Sequence, residues 1–127
     1  MTITQLTLIQ VVNIGLFGFL FGIFETFTNT FYLFTNNLTL PRIQHGRELP
    51  AGAEDKVVRR KVIQMLVLGI LLITIALLSV LITPEFFIIG VALIFLNGLL
   101  DYGKFRKINA LVIWNTLSVI SIILFVI

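Results

Sequence analysis

The lysines and arginines of this chain are confined to two short stretches, and apolar sequence fills most of the remainder. All nine lie within residues 42–61 and 104–107. Of the 127 residues, 58% are hydrophobic and 12% are charged, whereas a soluble domain has about a quarter of its residues charged. Too little polar surface is present to cover a water-soluble particle, so lipid must solvate most of the chain. The sequence therefore predicts an integral membrane protein.

Four segments are candidates for crossing a bilayer, which takes roughly 20 apolar residues for about 30 Å of hydrocarbon. The first covers residues 4–25, and an extension of its helix to residue 35 is left open because 26–34 stay aromatic and mildly apolar. The other three cover residues 62–82, 85–101 and 108–127. We predict one all-α domain over residues 1–127, made of four transmembrane helices. A cleaved signal peptide is not expected, because no basic region precedes the first segment.

The basic stretches orient these four helices. They fall in the connecting loops 36–61 and 102–107, and cytoplasmic loops collect lysine and arginine. Both loops are thus predicted on the cytoplasmic or equivalent side, with the N- and C-termini outside. We expect the membrane to be a bacterial or archaeal plasma membrane or an organelle inner membrane. In the outer turn, Thr83 suits a helix N-cap, Pro84 a first helical position and Glu85 the positive helix end. Helices two and three should form a tight antiparallel hairpin.

Small residues mark the helix faces that pack against protein, because lipid tails provide no hydrophobic drive between helices. Gly15, Gly18 and Gly22 share one face with Glu25 at the helical repeat. On one interpretation, these faces pack against each other within the chain's own helical bundle. On the other, some of them bind a partner subunit. The other predicted packing residues are Gly69, Ala76, Gly90, Gly98, Asn115 and Ser118.

Glu25 has two interpretations. It closes the first span at the inner interface, partly solvated, or it lies within the membrane and handles a proton or a cation. The second interpretation follows from the cost of an intramembrane carboxylate, which is often functional.

The loop over residues 40–52 holds the densest polar sequence. Two prolines and two glycines between Leu40 and Gly52 argue against a helix and for a shaped loop. The loop forms either an interface with a neighbouring protein or a solvated linker. His45, the only histidine, cannot make a zinc site without cysteine and is expected to have its hydrogen bonds satisfied in the loop. The predicted partner-docking residues are Arg42, Gln44, His45, Arg47 and Glu48.

A second basic group, Lys56, Arg59, Arg60 and Lys61, flanks the second span, whose helix is expected to begin near Ala53. Each cation near the surface contributes about 1 kcal/mol of attraction to anionic lipid headgroups. Nucleic acid is a poor partner, because no basic patch is interleaved with exposed aromatic residues.

No catalytic constellation, phosphate-binding glycine loop, metal site or cofactor site is recognisable, so the chain is not expected to be an enzyme. The leading hypothesis is a small accessory or structural subunit of a larger membrane complex, docking through the small-residue faces and the inner loop. One alternative is a homo-oligomeric transporter or channel whose path is lined by Glu25, Asn97 or Asn115. Another is a membrane-embedded immunity or regulatory protein.

Overall fold

The computed structural model describes residues 16–105, together with Thr116 and Ile120. This part of the chain contains helices and no strand, so the all-α prediction is confirmed for it. The helices are α1 (Leu16–Thr35), α2 (Thr39–Gln44), α3 (Asp55–Leu81) and α4 (Phe87–Phe105), and a 3-10 turn (Pro84–Phe86) precedes α4. Gly15, Asn115 and Ser118 lie outside the described residues, as do residues 4–15 of the first predicted span and nearly all of the fourth.

Three helix boundaries refine the sequence prediction. Helix α1 continues through Glu25 to Thr35, which is the longer of the two alternatives. Helix α3 begins at Asp55, two residues after the expected start, and runs without a break for 27 residues. Helix α4 ends at Phe105, so residues 102–105, which the sequence assigned to a loop, are helical.

One helix of the described part, α3, is long and apolar enough to cross a membrane. Its most apolar window has a mean hydropathy of 2.6, and only 39% of that window is buried. Its outward side carries large apolar residues such as Val67, Ile70, Leu77 and Val80. Helix α3 thus supports a membrane location. The crossing of the bilayer by all four predicted spans stays a prediction.

Helix α1 stops at an asparagine that adopts the left-handed conformation. Asn36 has φ 52°, a value that asparagine tolerates better than most residues. The Asn37 amide donates to the Tyr32 carbonyl and the Asn36 amide to the Leu33 carbonyl, which is the Schellman arrangement of a helix C-terminus. The chain therefore leaves α1 in one fixed direction, toward α2.

The presence of α2 corrects the expectation of a wholly non-helical loop over residues 40–52. Pro41 did not prevent a helix because it lies in the first turn, where its missing N–H would have had no partner within the helix. The Asn37 side-chain oxygen accepts from the amides of Thr39 and Leu40, and so satisfies two donors of that turn. Polar sequence with two prolines thus folds into one short helix followed by turns.

Helices α1 and α3 cross where two glycines face each other. A Cβ at Gly22 would lie 2.7 Å from the Gly69 carbonyl oxygen, and a Cβ at Gly69 would lie 2.9 Å from that of Gly22. The two backbones are in direct contact, as at the small-residue crossings of membrane helices. The structure thus places two of the predicted packing glycines at a single contact.

Helices α3 and α4 form an antiparallel hairpin. Gly90 in α4 lies against Ile75, while nearer the other end of the hairpin Lys61 in α3 contacts Asp101. Residues near the start of α3 therefore contact residues near the end of α4, as expected for antiparallel helices. Among the remaining predicted packing residues, Ala76 and Gly98 are buried. The apolar core is small and consists of Met65, Leu68, Leu72 and Ile94, with Phe21 of α1 against it.

Candidate functional site

The described helices bury several polar side chains beside their apolar core, and they expose many large apolar side chains. Exposed side chains include Phe27 at 73% and Phe34 at 86%. Buried ionisable residues in apolar-surfaced bundles are costly, so their contacts decide whether they have a structural or a functional role. The buried polar residues are Glu25, Asn29, His45, Lys61, Ser79, Asn97 and Asp101. The term buried polar centre is used below for six residues: Glu25, Asn29, Gln44, His45, Lys61 and Asp101.

Glu25 lies inside the bundle, 4% exposed, rather than at a solvated helix end. Asn29, one turn further along α1, donates through Nδ2 to Glu25 Oε2 at 2.7 Å and to the Glu25 carbonyl at 2.6 Å. A second amide reaches the same carboxylate, because Gln44 Nε2 donates to Glu25 Oε2 at 3.2 Å. The carboxylate is thus held by two amides from different elements.

Gln44, at the end of α2, ties the loop to α1 by three hydrogen bonds. Its oxygen accepts from the Tyr32 hydroxyl, and its amide donates to the Thr28 hydroxyl at 3.0 Å as well as to Glu25. Every hydrogen-bonding atom of this amide therefore has a partner on one face of α1. The side chain that was predicted to bind a neighbouring protein is occupied within the chain.

The histidine is buried beside the same carboxylate. His45 Nε2 lies 2.8 Å from Asn29 Oδ1 and 3.9 Å from Glu25 Oε2. Because the Asn29 NH₂ group is directed at Glu25, its Oδ1 must accept, so His45 donates through a protonated Nε2. Burial and, to a smaller extent, the nearby positive charge of Lys61 lower the pKa of His45 to about 4, against the opposing effect of Asp101. His45 is consequently neutral at pH 7.

We expect His45 to make the fold less stable in acid. Its pKa falls from 6.5 in the unfolded chain to about 4 in the folded protein, so the unfolded chain takes up the proton first as pH falls. This loss begins near pH 6.5, amounts to about 3 kcal/mol at most, and levels off below pH 4. Thermal unfolding in detergent from pH 4 to 8 measures it. His45→Gln keeps a donor for Asn29 and does not titrate, so a wild-type profile parallel to that of this variant would contradict the prediction.

A buried ion pair joins α3 to α4. Lys61 Nζ lies 2.7 Å from Asp101 Oδ2, and both side chains are 1% exposed. Gln64, one turn along α3, donates to Asp101 Oδ1 at 3.0 Å and to Asn97 Oδ1 at 2.6 Å. The hairpin thus closes around a charged pair, which two amides flank. The Asn97 Nδ2 atom is buried and has no hydrogen-bond partner in the described part of the chain.

The ion pair and the histidine belong to one electrostatic unit. Burial raises the pKa of Glu48. The charge of Lys61 lowers the pKa values of both His45 and Glu48, and the charge of Asp101 raises them. Helices α1, α3 and α4 and the loop after α2 therefore converge on a common interior. In that interior, the charged side chains of Glu25, Lys61 and Asp101 contact polar groups of the same chain.

The other predicted docking residues, Arg42, Arg47 and Glu48, lie outside the buried polar centre. Arg42 donates to the Ala53 carbonyl and forms an ion pair with Asp55 at 2.5 Å, so it ties α2 to the start of α3. Arg47 is exposed and Glu48 is half-buried. Of the five residues predicted to dock a partner, three are bonded inside the chain instead. Short-range sequence reading missed this because each contact joins residues more than ten positions apart.

Lys61 also corrects a prediction. It was grouped with Lys56, Arg59 and Arg60 as a ligand for lipid headgroups, but it is 1% exposed and bound to Asp101. The helical repeat turns Lys61 toward α4 while the other three remain exposed. The headgroup set is therefore reduced to those three residues.

The buried polar centre includes residues that the sequence reading did not single out, namely Asn29 and Asp101. Asn29 and Tyr32 continue the face of Gly18, Gly22 and Glu25, so the helical repeat could have found them. Asp101 is the last residue of the predicted span 85–101, and no pattern within the span indicates that it pairs with Lys61. In the described residues no group of three or more histidine, cysteine, aspartate or glutamate side chains has the geometry of a metal site.

Comparison of the chain with models of protein families, with curated protein sequences and with solved structures found no match. Functional inference therefore rests on the residues and contacts described above.

Proposed function

We propose that this chain is a non-catalytic accessory subunit of a larger membrane protein complex, with four membrane-crossing helices and both termini on the outer side. Two features support this function: a rigid interior that uses its own polar groups, and an exposed face of α1 with the spacing of a helix–helix contact.

The rigid interior supports a scaffolding role for the loop. Gln44 and His45 hold the loop against α1, and Arg42 holds α2 against α3. Satisfied buried polar networks fix one arrangement of the elements that they join. On this proposal the loop is a fixed cap on the inner end of the bundle, which presents Arg47 and the exposed side chain of Ile43 outward.

The exposed face of α1 is the observation that carries the proposal. Five large apolar side chains recur along it at alternating spacings of four and three residues, the heptad spacing of helices that pack along a common seam. All five are more than half exposed. The small-residue face of α1 is occupied by α3 through Gly22 and Gly69, so on this proposal the partner packs on this remaining face. This set, called the aromatic stripe, consists of Leu20, Phe24, Phe27, Phe31 and Phe34.

The proposal predicts that the aromatic stripe is needed to retain partner subunits. Combined Phe27→Ala and Phe31→Ala substitutions remove two adjacent anchors, and the partner should then be lost more than tenfold, since central aromatic anchors contribute about 2 kcal/mol or more each. Extraction in mild detergent followed by native mass spectrometry measures the retained subunits.

The matched control is Leu96→Ala with Leu99→Ala on α4, where the side chains are exposed at 54% and 68%. This control should keep the partner, because it removes a comparable exposed apolar surface outside the stripe. Equal loss in both variants would contradict docking by the stripe, and a wild-type protein extracted only as a monomer would overturn the accessory function. Extraction only with copies of itself would favour the homo-oligomeric transporter, for which the buried Glu25 would be the residue to investigate.

A further inference from the structure

A small open cavity lies where α1 ends and α2 begins, against the first turns of α3. Its volume is about 30 Å³, enough for one or two oxygen atoms of a larger group. The lining combines one cation with amide and apolar side chains. This cavity, called the headgroup notch below, is lined by Tyr32, Leu33, Asn36, Asn37, Leu38, Arg59 and Val62.

The wall of the headgroup notch is fixed by the chain's own hydrogen bonds. Asn36 and Asn37 form the Schellman end of α1, and the Asn37 side chain caps the first turn of α2. A preorganised wall loses little conformational freedom when it binds a ligand. The notch is therefore built before any ligand arrives.

The cation of the notch has no partner within the described part of the chain. Arg42 and Lys61 form ion pairs with Asp55 and Asp101, but no carboxylate is paired with Arg59 there. A guanidinium matches a phosphate through two parallel hydrogen bonds, more specifically than an ammonium does. Lys56 and Arg60, which are also exposed, add positive charge nearby. An anionic oxygen is the ligand that this notch fits.

The apolar lining decides between a free anion and a lipid. Leu33, Leu38 and Val62 give the notch an apolar side. In the proposed topology this end of the bundle is the inner membrane interface, where phosphates lie above acyl chains. We propose that the headgroup notch binds the phosphate of an anionic glycerophospholipid, with Arg59 on the phosphate and the apolar lining against the glycerol region. This site is independent of the aromatic stripe and of any partner subunit.

The experiment measures retained lipid by native mass spectrometry of the full chain in detergent, supplied with phosphatidylglycerol, with phosphatidylcholine or with inorganic phosphate. Wild-type protein should retain phosphatidylglycerol in preference to the other two. Arg59→Gln should reduce the retained phosphatidylglycerol about fivefold, the effect of one interfacial cation. Asn36→Gly tolerates the positive φ while removing the amide, and should also reduce it.

The control variant is Arg60→Gln, which removes an exposed cation that does not line the notch and should change retention less than twofold. Equal loss with Arg59→Gln and Arg60→Gln would overturn the proposal in favour of diffuse attraction to the basic group. Equal retention of phosphatidylcholine, or inorganic phosphate binding as well as the lipid does, would overturn the assignment of an anionic lipid. Thermal unfolding without added lipid shows whether each variant is folded, and Asn36→Gly carries the test if Arg59→Gln is not.

Discussion

Gly22→Ala and Gly69→Ala are each expected to lower the free energy of unfolding by about 2 kcal/mol or more. Alanine is the better helix former by about 1 kcal/mol, so the local effect of either change is stabilising. The added methyl would nevertheless lie within 3.0 Å of a carbonyl oxygen in the opposite helix. A backbone atom cannot rotate away, so α1 and α3 would have to separate along the crossing and lose packing on both sides. Equilibrium unfolding in mixed micelles, followed by circular dichroism, measures the change.

Gly18→Ala is the matched control, because a Cβ at this position meets no atom of the described residues within 4 Å. It lies one turn before Gly22 on the same helix, so it gives the helix-propensity gain without the clash. We expect it to leave the free energy of unfolding unchanged or to raise it by up to about 1 kcal/mol. Equal destabilisation by Gly18→Ala and Gly22→Ala would show that the crossing is not where the two helices are in closest contact.

Local sequence patterns predicted the long helices of the described part of the chain. The helical repeat of small residues placed Gly22 and Gly69 on packing faces, and the structure brings these two glycines together. The turn chemistry around Pro84 predicted the break between α3 and α4 and the hairpin that follows from it. These features depend on contacts within a few residues, or on a periodicity that any helix must obey.

The contacts inside the bundle could not be predicted in the same way. Arg42, Gln44 and His45 were predicted as partner-docking residues, with His45 also expected to have its hydrogen bonds satisfied in the loop. The structure turns Gln44 and His45 inward because α1 already buries Glu25 and Asn29, which need partners in an apolar interior. Arg42 instead stays partly exposed and pairs with Asp55. Each of these contacts joins residues 11 to 19 positions apart, and no local pattern specifies which polar group will reach which.

Pro41 and Lys61 show the two ways in which local reading was wrong. Proline was taken as a helix breaker, but in the first turn it replaces an N–H that α2 does not use. Lys61 was grouped with its basic neighbours along the sequence, although the helical repeat separates them in space. In both cases the position within the helix, rather than the type of residue, determined the outcome.

The second large effect is expected at the ion pair between Lys61 and Asp101. Lys61→Met leaves the Asp101 carboxylate buried without this cation, and Asp101→Leu leaves the Lys61 ammonium without its anion. Removing one partner of a buried pair costs about 3–5 kcal/mol, because the remaining charge stays buried after losing the opposite charge with which it was paired. Each single variant should therefore unfold at much lower temperature or denaturant concentration than the wild type, as measured in detergent micelles.

The double variant Lys61→Met with Asp101→Leu is expected to recover most of that loss. Two apolar side chains of similar size remove both desolvation costs together, and such replacements are often neutral or stabilising. Gln64 keeps its contact with Asn97 in the double variant, so one polar link between α3 and α4 remains. Lys56→Met, at an exposed position of the same helix, should change stability by no more than about 0.5 kcal/mol. If the double variant were as unstable as the sum of the two single variants, the pair would not be interacting in the folded protein, and the closing of the hairpin around it would be wrong.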